Sequence, residues 1–273
     1  MLLPDTTHTQ PFLDATLALA GIGVFIGSLE DLVCRNAFSD HGLMSWQVSR
    51  TDHRSLLDDG PAARVFAHLL TLPGFQWVVA ARLAAISLLL TFQFSGWERS
   101  VLLGVVLTCG LAYNIRCPYG LSGDHQMTVI VMLALFLASL SPGGRLVHVI
   151  CLWFIALQGV LSYAVAGVSK LSSPTWRSGE AIPGILRTTA YGNGTLFQIV
   201  AGRPAIAMAA AWGTILFESL FLLVFLRPMP VRIGFLAAGV LFHLQIACVM
   251  GLNLFFWAFV STYPAILFCA MSS

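Results

Sequence analysis

Lys170 is the only lysine among 273 residues, and it stands in "YAVAGVSKLSSPTW" at the end of a long apolar run. Tyr163, Ala166, Gly167 and Lys170 follow i, i+3, i+4 and i+7, so they share one helix face. Ala166 and Gly167 are small enough to admit a neighbouring helix, which directs the lysine toward a packed interface. The plain alternative is a snorkelling anchor whose ammonium reaches the headgroups. Thirteen arginines and one lysine occur in the chain. The position therefore holds the one kind of cation that sheds its proton when desolvated and then serves as a neutral base.

Two more ionisable residues interrupt apolar runs: Glu218 in "TILFESLFLL" and His243 in "GVLFHLQIACVMGLNLFFW". Such residues are functional candidates, each with a partner to be named. Both helices meet at the short turn "RPMP". Counted from that turn at about 1.5 Å per residue, Glu218 lies ~12 Å deep and His243 ~18 Å deep. A Glu218–His243 contact, direct or through a water, is expected on that basis, with a purely structural pair as the alternative. Asp124 and His125 in "GLSGDHQM" form a polar pair at a membrane boundary, where Ser122 or Asp124 also suits a helix cap. The run "NLFFWAFVSTY" could line a pocket for a quinone or lipid, or could simply face lipid. No metal-ligand spacing is present.

The elements that position these residues are membrane helices. The chain is 58% hydrophobic and 10% charged, with a mean hydropathy of +0.84; soluble domains carry about 25% charged residues. The net charge of +2 comes without a basic stripe, so nucleic acid is not an expected partner. The lipid bilayer is. No arginine or lysine precedes the first apolar segment, so that segment is expected to be a retained helix and not a cleaved signal. At ~20 apolar residues per span, eight spans are expected: 12–33, 75–95, 98–115, 126–141, 146–170, 204–226, 231–250 and 252–270. The last two flank only "GLN" and form a tight hairpin. The predicted fold is an all-α polytopic bundle in a single domain without a soluble part. Short interfacial helices are expected in the loops 34–74, from Asp59 and Pro61 onward, and 171–203. The sequon "NGT" at 193–195 is a weak glycosylation match. Cys34 and Cys117 end segments on one face, where a disulfide is one possibility.

"LSYAVAGVSKLSSPTWRSGEAI" followed by "FHLQIACVMGLNLFFW" resembles the horizontally transferred transmembrane domain, the membrane domain of vitamin K-dependent gamma-carboxylases. The pattern AG-x-x-KL…W-x-x-G falls on Ala166, Gly167, Lys170, Leu171, Trp176 and Gly179, and FH…M…F on Phe242, His243, Met250 and Phe255. "GDH" at a helix start and D-x-G-L…W in the first long loop add support, and the resemblance covers nearly the whole chain. It implies that Lys170 is the base that deprotonates a vitamin K hydroquinone-like reduced quinone. In that family, oxygenation then yields a base strong enough to take a proton from a glutamate side chain before CO₂ adds. His243 would line or polarise the site. Tyr163, Asp124, His125, Trp176, Glu218, Phe242, Met250 and Phe255 would complete the substrate region. Carboxylases continue into a large luminal portion, whereas this sequence stops at Ser273. The expectation is therefore a small stand-alone member, similar to the sporulation-delaying-protein B-like proteins tied to toxin peptide maturation.

The expected location is the cell membrane. The resemblance puts the face carrying Lys170 outside the cytoplasm; the arginines at 35, 50, 54, 64, 116, 177, 187 and 203, against 99, 145, 227 and 232 opposite, argue the reverse. Three readings follow: an enzyme acting on a quinone-like or lipid-soluble substrate; a non-catalytic partner in maturation, export or immunity of a peptide or small protein; and a small transporter with Glu218 and His243 as proton relay.

Overall fold

The computed structural model describes residues 9–42, 44–51, 67–118, 123–226 and 228–272. Every regular element among them is helical: α1 (Thr9–Val33), α2 (Trp46–Ser49), α3 (Leu72–Thr91), α4 (Trp97–Arg116), α5 (Gly123–Ser139), α6 (Arg145–Ser172), α7 (Pro174–Arg177), α8 (Ala181–Leu186), α9 (Gly194–Ala201), α10 (Pro204–Leu220), α11 (Met229–Met250), α12 (Asn253–Val260) and α13 (Tyr263–Ser272). Short 3₁₀ turns follow α1 and α10. This is the expected all-α bundle of a multi-pass membrane protein.

A helix stands at each of the eight expected places. Six stretches are long and apolar enough to span a bilayer: Thr9–Val33, Leu72–Thr91, Arg145–Ser172, Pro204–Phe225, Met229–Met250 and Asn253–Met271. Two of the eight are weaker. Helix α4 has the length but carries Glu98, Arg99 and Arg116, and α5 has only 17 residues. The last stretch is two helices, α12 and α13, joined by a turn at Ser261–Thr262.

The long loop 171–203 holds three short helices, as its proline and glycine punctuation predicts. Asn193 of the sequon caps α9, its Oδ1 accepting from the Leu196 amide at 3.1 Å. The helix expected from Asp59 and Pro61 falls mostly outside the described residues; 67–70 are helical.

The chain divides into two compact units, Leu13–Cys151, and Met1–Phe12 with Leu152–Ser273. In the first, Phe38, Phe75, Val79, Tyr113 and Cys117 form a buried cluster. Arg116, 0% exposed, donates to the carbonyls of Phe38 at 2.6 Å and Met44 at 2.9 Å. Its guanidinium also lies 5.2 Å from the Phe75 ring and 5.9 Å from those of Phe38 and Trp46. Carbonyls and aromatic faces thus replace the water that this cation gave up. They fix Phe38, Met44 and Trp46 to the end of α4.

Cys34 and Cys117 are both free thiols. Cys34 is exposed; burial pushes the Cys117 thiol up to about 12. Because the thiolate is the nucleophile, maleimide added at pH 8 is expected to label Cys34 and leave Cys117 intact, and raising the pH to 9 changes nothing at Cys117. Labelling of Cys117 at pH 8, read by peptide mass mapping, contradicts that burial.

The second unit is built on α6, α10, α11, α12 and α13. Its interior is closed by Leu152, Ile155, Ile215, Phe221 and Ile266, each at most 1% exposed. Helix α11 buries only Gly239 and His243, one turn apart, while Ile233 and Leu241 stand more than half exposed. Exposed apolar side chains along such a helix suit lipid as the solvent. The one polar side chain on the inward strip is therefore held there by the register of an otherwise apolar helix.

Candidate functional site

The lone lysine faces inward to a carboxylate. Lys170 Nζ donates to both oxygens of Glu218, at 2.9 and 2.6 Å. The Lys170 side chain is 21% exposed and that of Glu218 7%. The ammonium also lies 5.2 Å from the centre of the Trp176 ring, a cation–π contact. Trp176 is brought back over the end of α6 by the break at Ser173–Pro174, where α7 begins. Gly167 explains the approach of α6 to α10: a Cβ there would collide with the backbone of Ser219, the residue after Glu218. The small-residue face predicted from sequence thus seats α10 against α6 one turn before Lys170.

His243 is 1% exposed. Its Nε2 is 2.6 Å from the hydroxyl of Tyr163, which is also 2.6 Å from the hydroxyl of Tyr263. One hydrogen-bond chain therefore joins α13, α6 and α11. Gly239 leaves room for it, since a Cβ at that position would overlap the Tyr263 hydroxyl. Aromatic rings surround the chain. Phe221 stacks on Tyr163 at 3.9 Å, and Phe259 stacks on His243 at 4.7 Å. Phe242 and Phe255 flank the imidazole at 5.3 and 5.5 Å.

No direct Glu218–His243 hydrogen bond is formed among the described residues. Glu218 takes Lys170 and His243 takes Tyr163. Depth along the two helices allowed the pair, but a carboxylate gains more from an ammonium than from an imidazole, because charge-assisted bonds are the stronger ones. The aromatic layer fills the space instead: Phe217, next to Glu218, contacts both Tyr163 and Phe242, at 5.7 and 5.1 Å.

Of the residues singled out in sequence, Tyr163, His243, Phe242 and Phe255 come together, and Lys170, Glu218 and Trp176 form a second group two turns further along α6. Met250 ends α11, seven residues beyond His243. Asp124 and His125 lie in the other unit. There His125 Nδ1 is 3.2 Å from Asp124 Oδ1, and its ring stacks on Tyr113 at 5.0 Å.

Sequence reasoning missed a network in that unit. Arg82 donates to Asp31 at 2.6 Å and to Ser28 at 2.9 Å, and the Tyr113 hydroxyl donates to Asp31 at 3.3 Å. Its signal was a single arginine in the second apolar segment, facing a choice of three acids, Asp14, Glu30 and Asp31, in the first. Tyr263 closes the run "NLFFWAFVSTY" but was not singled out within it.

Scans against family models, curated proteins and solved structures found no match for this chain.

Proposed function

We propose that this is a membrane enzyme in which Lys170 acts as general base on a quinone-like, lipid-soluble substrate, in the manner of the horizontally transferred transmembrane domain it resembles. The observation that carries the reading is the Lys170–Glu218 pair under Trp176. A snorkelling anchor has no need of a buried carboxylate partner. A base has, because Glu218 can hold the proton that Lys170 must lose. Moving one proton across the 2.6 Å from Nζ to the carboxylate gives an amine and a carboxylic acid, both neutral. The amine then takes the proton of an acidic hydroxyl, and the ammonium so formed stays beside the resulting anion.

The residues fit a flat apolar ring bearing oxygens. Trp176, Phe242 and Phe255 are each half-buried, and among the described residues one ring nitrogen of His243 has no partner. A reduced quinone would supply an acidic hydroxyl and the oxygen chemistry that no side chain here possesses. In this reading the peptide or small-protein substrate approaches from the face that carries Lys170, outside the cytoplasm.

A second reading is favoured by the same pair. Both carboxylate oxygens are satisfied by the lysine, as in a lock between α6 and α10, and a non-catalytic partner in peptide maturation would need no more. The two separate on the bound contents. Solvent extraction of protein purified in a mild detergent is expected to release a quinone in amounts approaching one per chain. A quinone content equal to that of an unrelated membrane protein prepared alongside counts against the enzyme.

A further inference from the structure

Helix α11 turns Gly239 and His243 inward and leaves most of its surface outside. Only 11% of this span is buried, against 28% or more of each of the other five. Gly234, Ala238, Leu241, Gln245 and Cys248 are all exposed. They recur at i, i+4, i+7, i+11 and i+14, the spacing of a heptad seam. At about 100° per residue they fill a stripe about 80° wide, with His243 about 180° away on the other side of the helix. Two of these residues are out of place on a face that meets only lipid. Gln245 carries an NH₂ group and a carbonyl oxygen, and among the described residues it has no hydrogen-bond partner. It stands five residues before the end of α11, about 8 Å inside it, and is shorter than the side chains that snorkel to the headgroups. An amide left in hydrocarbon without a partner is costly. Gly234 has no reason within the chain either. A Cβ there would meet nothing within 4 Å, although glycine in a helix interior is less favourable than alanine.

We propose that this face of α11 is a self-association surface, and that its occupant is α11 of a second copy of the same chain. Copies inserted in one orientation are related by a twofold axis along the bilayer normal, so each seam residue meets its own counterpart at equal depth. Gln245 then faces Gln245. An amide is complementary to itself, since the NH₂ of each donates to the carbonyl of the other. The five seam residues include no charge that would repel an identical face. Toward the other end of the helix, Gly234 and Ala238 let the two backbones approach closely. Interhelical hydrogen bonds and close backbone packing are what hold helices together in lipid, where burying apolar area supplies no drive. The heptad spacing keeps the seam continuous along two helices that cross at a shallow angle. His243 stays on the far side of α11 with its own neighbours, so the association does not depend on whether the protein is an enzyme.

The experiment is energy transfer between copies of the full chain in phosphatidylcholine liposomes, with no other protein present. Cys34 and Cys248 are exposed and the other four thiols are buried, so Cys248→Ala leaves Cys34 to carry the donor or acceptor dye. Transfer is followed as the protein-to-lipid ratio falls. It is expected to exceed the level of random crowding and to vanish with excess unlabelled chain. Gln245→Leu should weaken association about fivefold, the worth of one hydrogen bond between membrane helices. Gly234→Val should weaken it about tenfold or more by holding the backbones apart; the added side chain starts in open space within a single copy, so the fold is retained. Gly213→Val makes the same change at an exposed glycine of α10 that also faces open space, and it should leave association as it was. Energy transfer no higher than random crowding overturns the proposal and leaves the face to lipid or to a different protein. Association undiminished by both Gln245→Leu and Gly234→Val overturns it too, as does equal weakening by Gly213→Val and Gly234→Val, because the copies then meet elsewhere.

Discussion

Glu218→Ala is expected to destabilise the unit formed by α6 and α10–α13 by about 3 kcal/mol, because it strands the Lys170 ammonium. The carboxylate is 7% exposed and receives both of its close hydrogen bonds from Nζ. Lys170 is 21% exposed, and partial access to water holds the cost at the lower end of the range for breaking a buried pair. Lys170→Met costs a similar amount by stranding Glu218. Seen from the sequence alone, that substitution only removes an expensive charge; the structure makes it remove one half of a pair. The double variant Lys170→Met, Glu218→Leu should recover to within about 1 kcal/mol of wild type, since apolar pairs replace buried ion pairs at little net cost. Melting of the four proteins in one detergent, followed by tryptophan fluorescence, makes the comparison. Single and double variants that melt together with wild type would mean that the pair contributes nothing.

Most of the fold was legible because lipid makes length and hydropathy nearly sufficient. The eight helical places, the "GLN" hairpin between α11 and α12 and the broken loop 171–203 all follow from those two properties and from glycine and proline positions. The seat of α10 on α6 was legible too, since Ala166 and Gly167 share a face with Lys170. Partner choice was not. Depth along a helix placed Glu218 and His243 at similar levels, but it carries no information on rotation about the helix axis. That rotation turns Glu218 to α6 and His243 to Tyr163. Tyr263 and the Asp31–Arg82 pair were hidden for the same reason: pairing depends on which helices become neighbours and which of their polar residues turn inward.

Lys170→Arg is the substitution that asks most directly whether the lysine is a base. Arginine keeps the positive charge, can bond both Glu218 oxygens in a fork, and stacks on Trp176. It does not give up its proton. The variant should therefore fold and reach the membrane as the wild type does. The measurement is oxygen uptake by wild-type and Lys170→Arg protein in nanodiscs supplied with reduced menadione, corrected for protein-free discs, at equal protein amount. Wild type is expected to consume oxygen above the control, and Lys170→Arg to fall by a factor of about 100 or more, the ordinary worth of a positioned general base. Equal oxygen uptake by the two proteins, or none by the wild type, would contradict Lys170 as the base and leave it as one half of a structural ion pair.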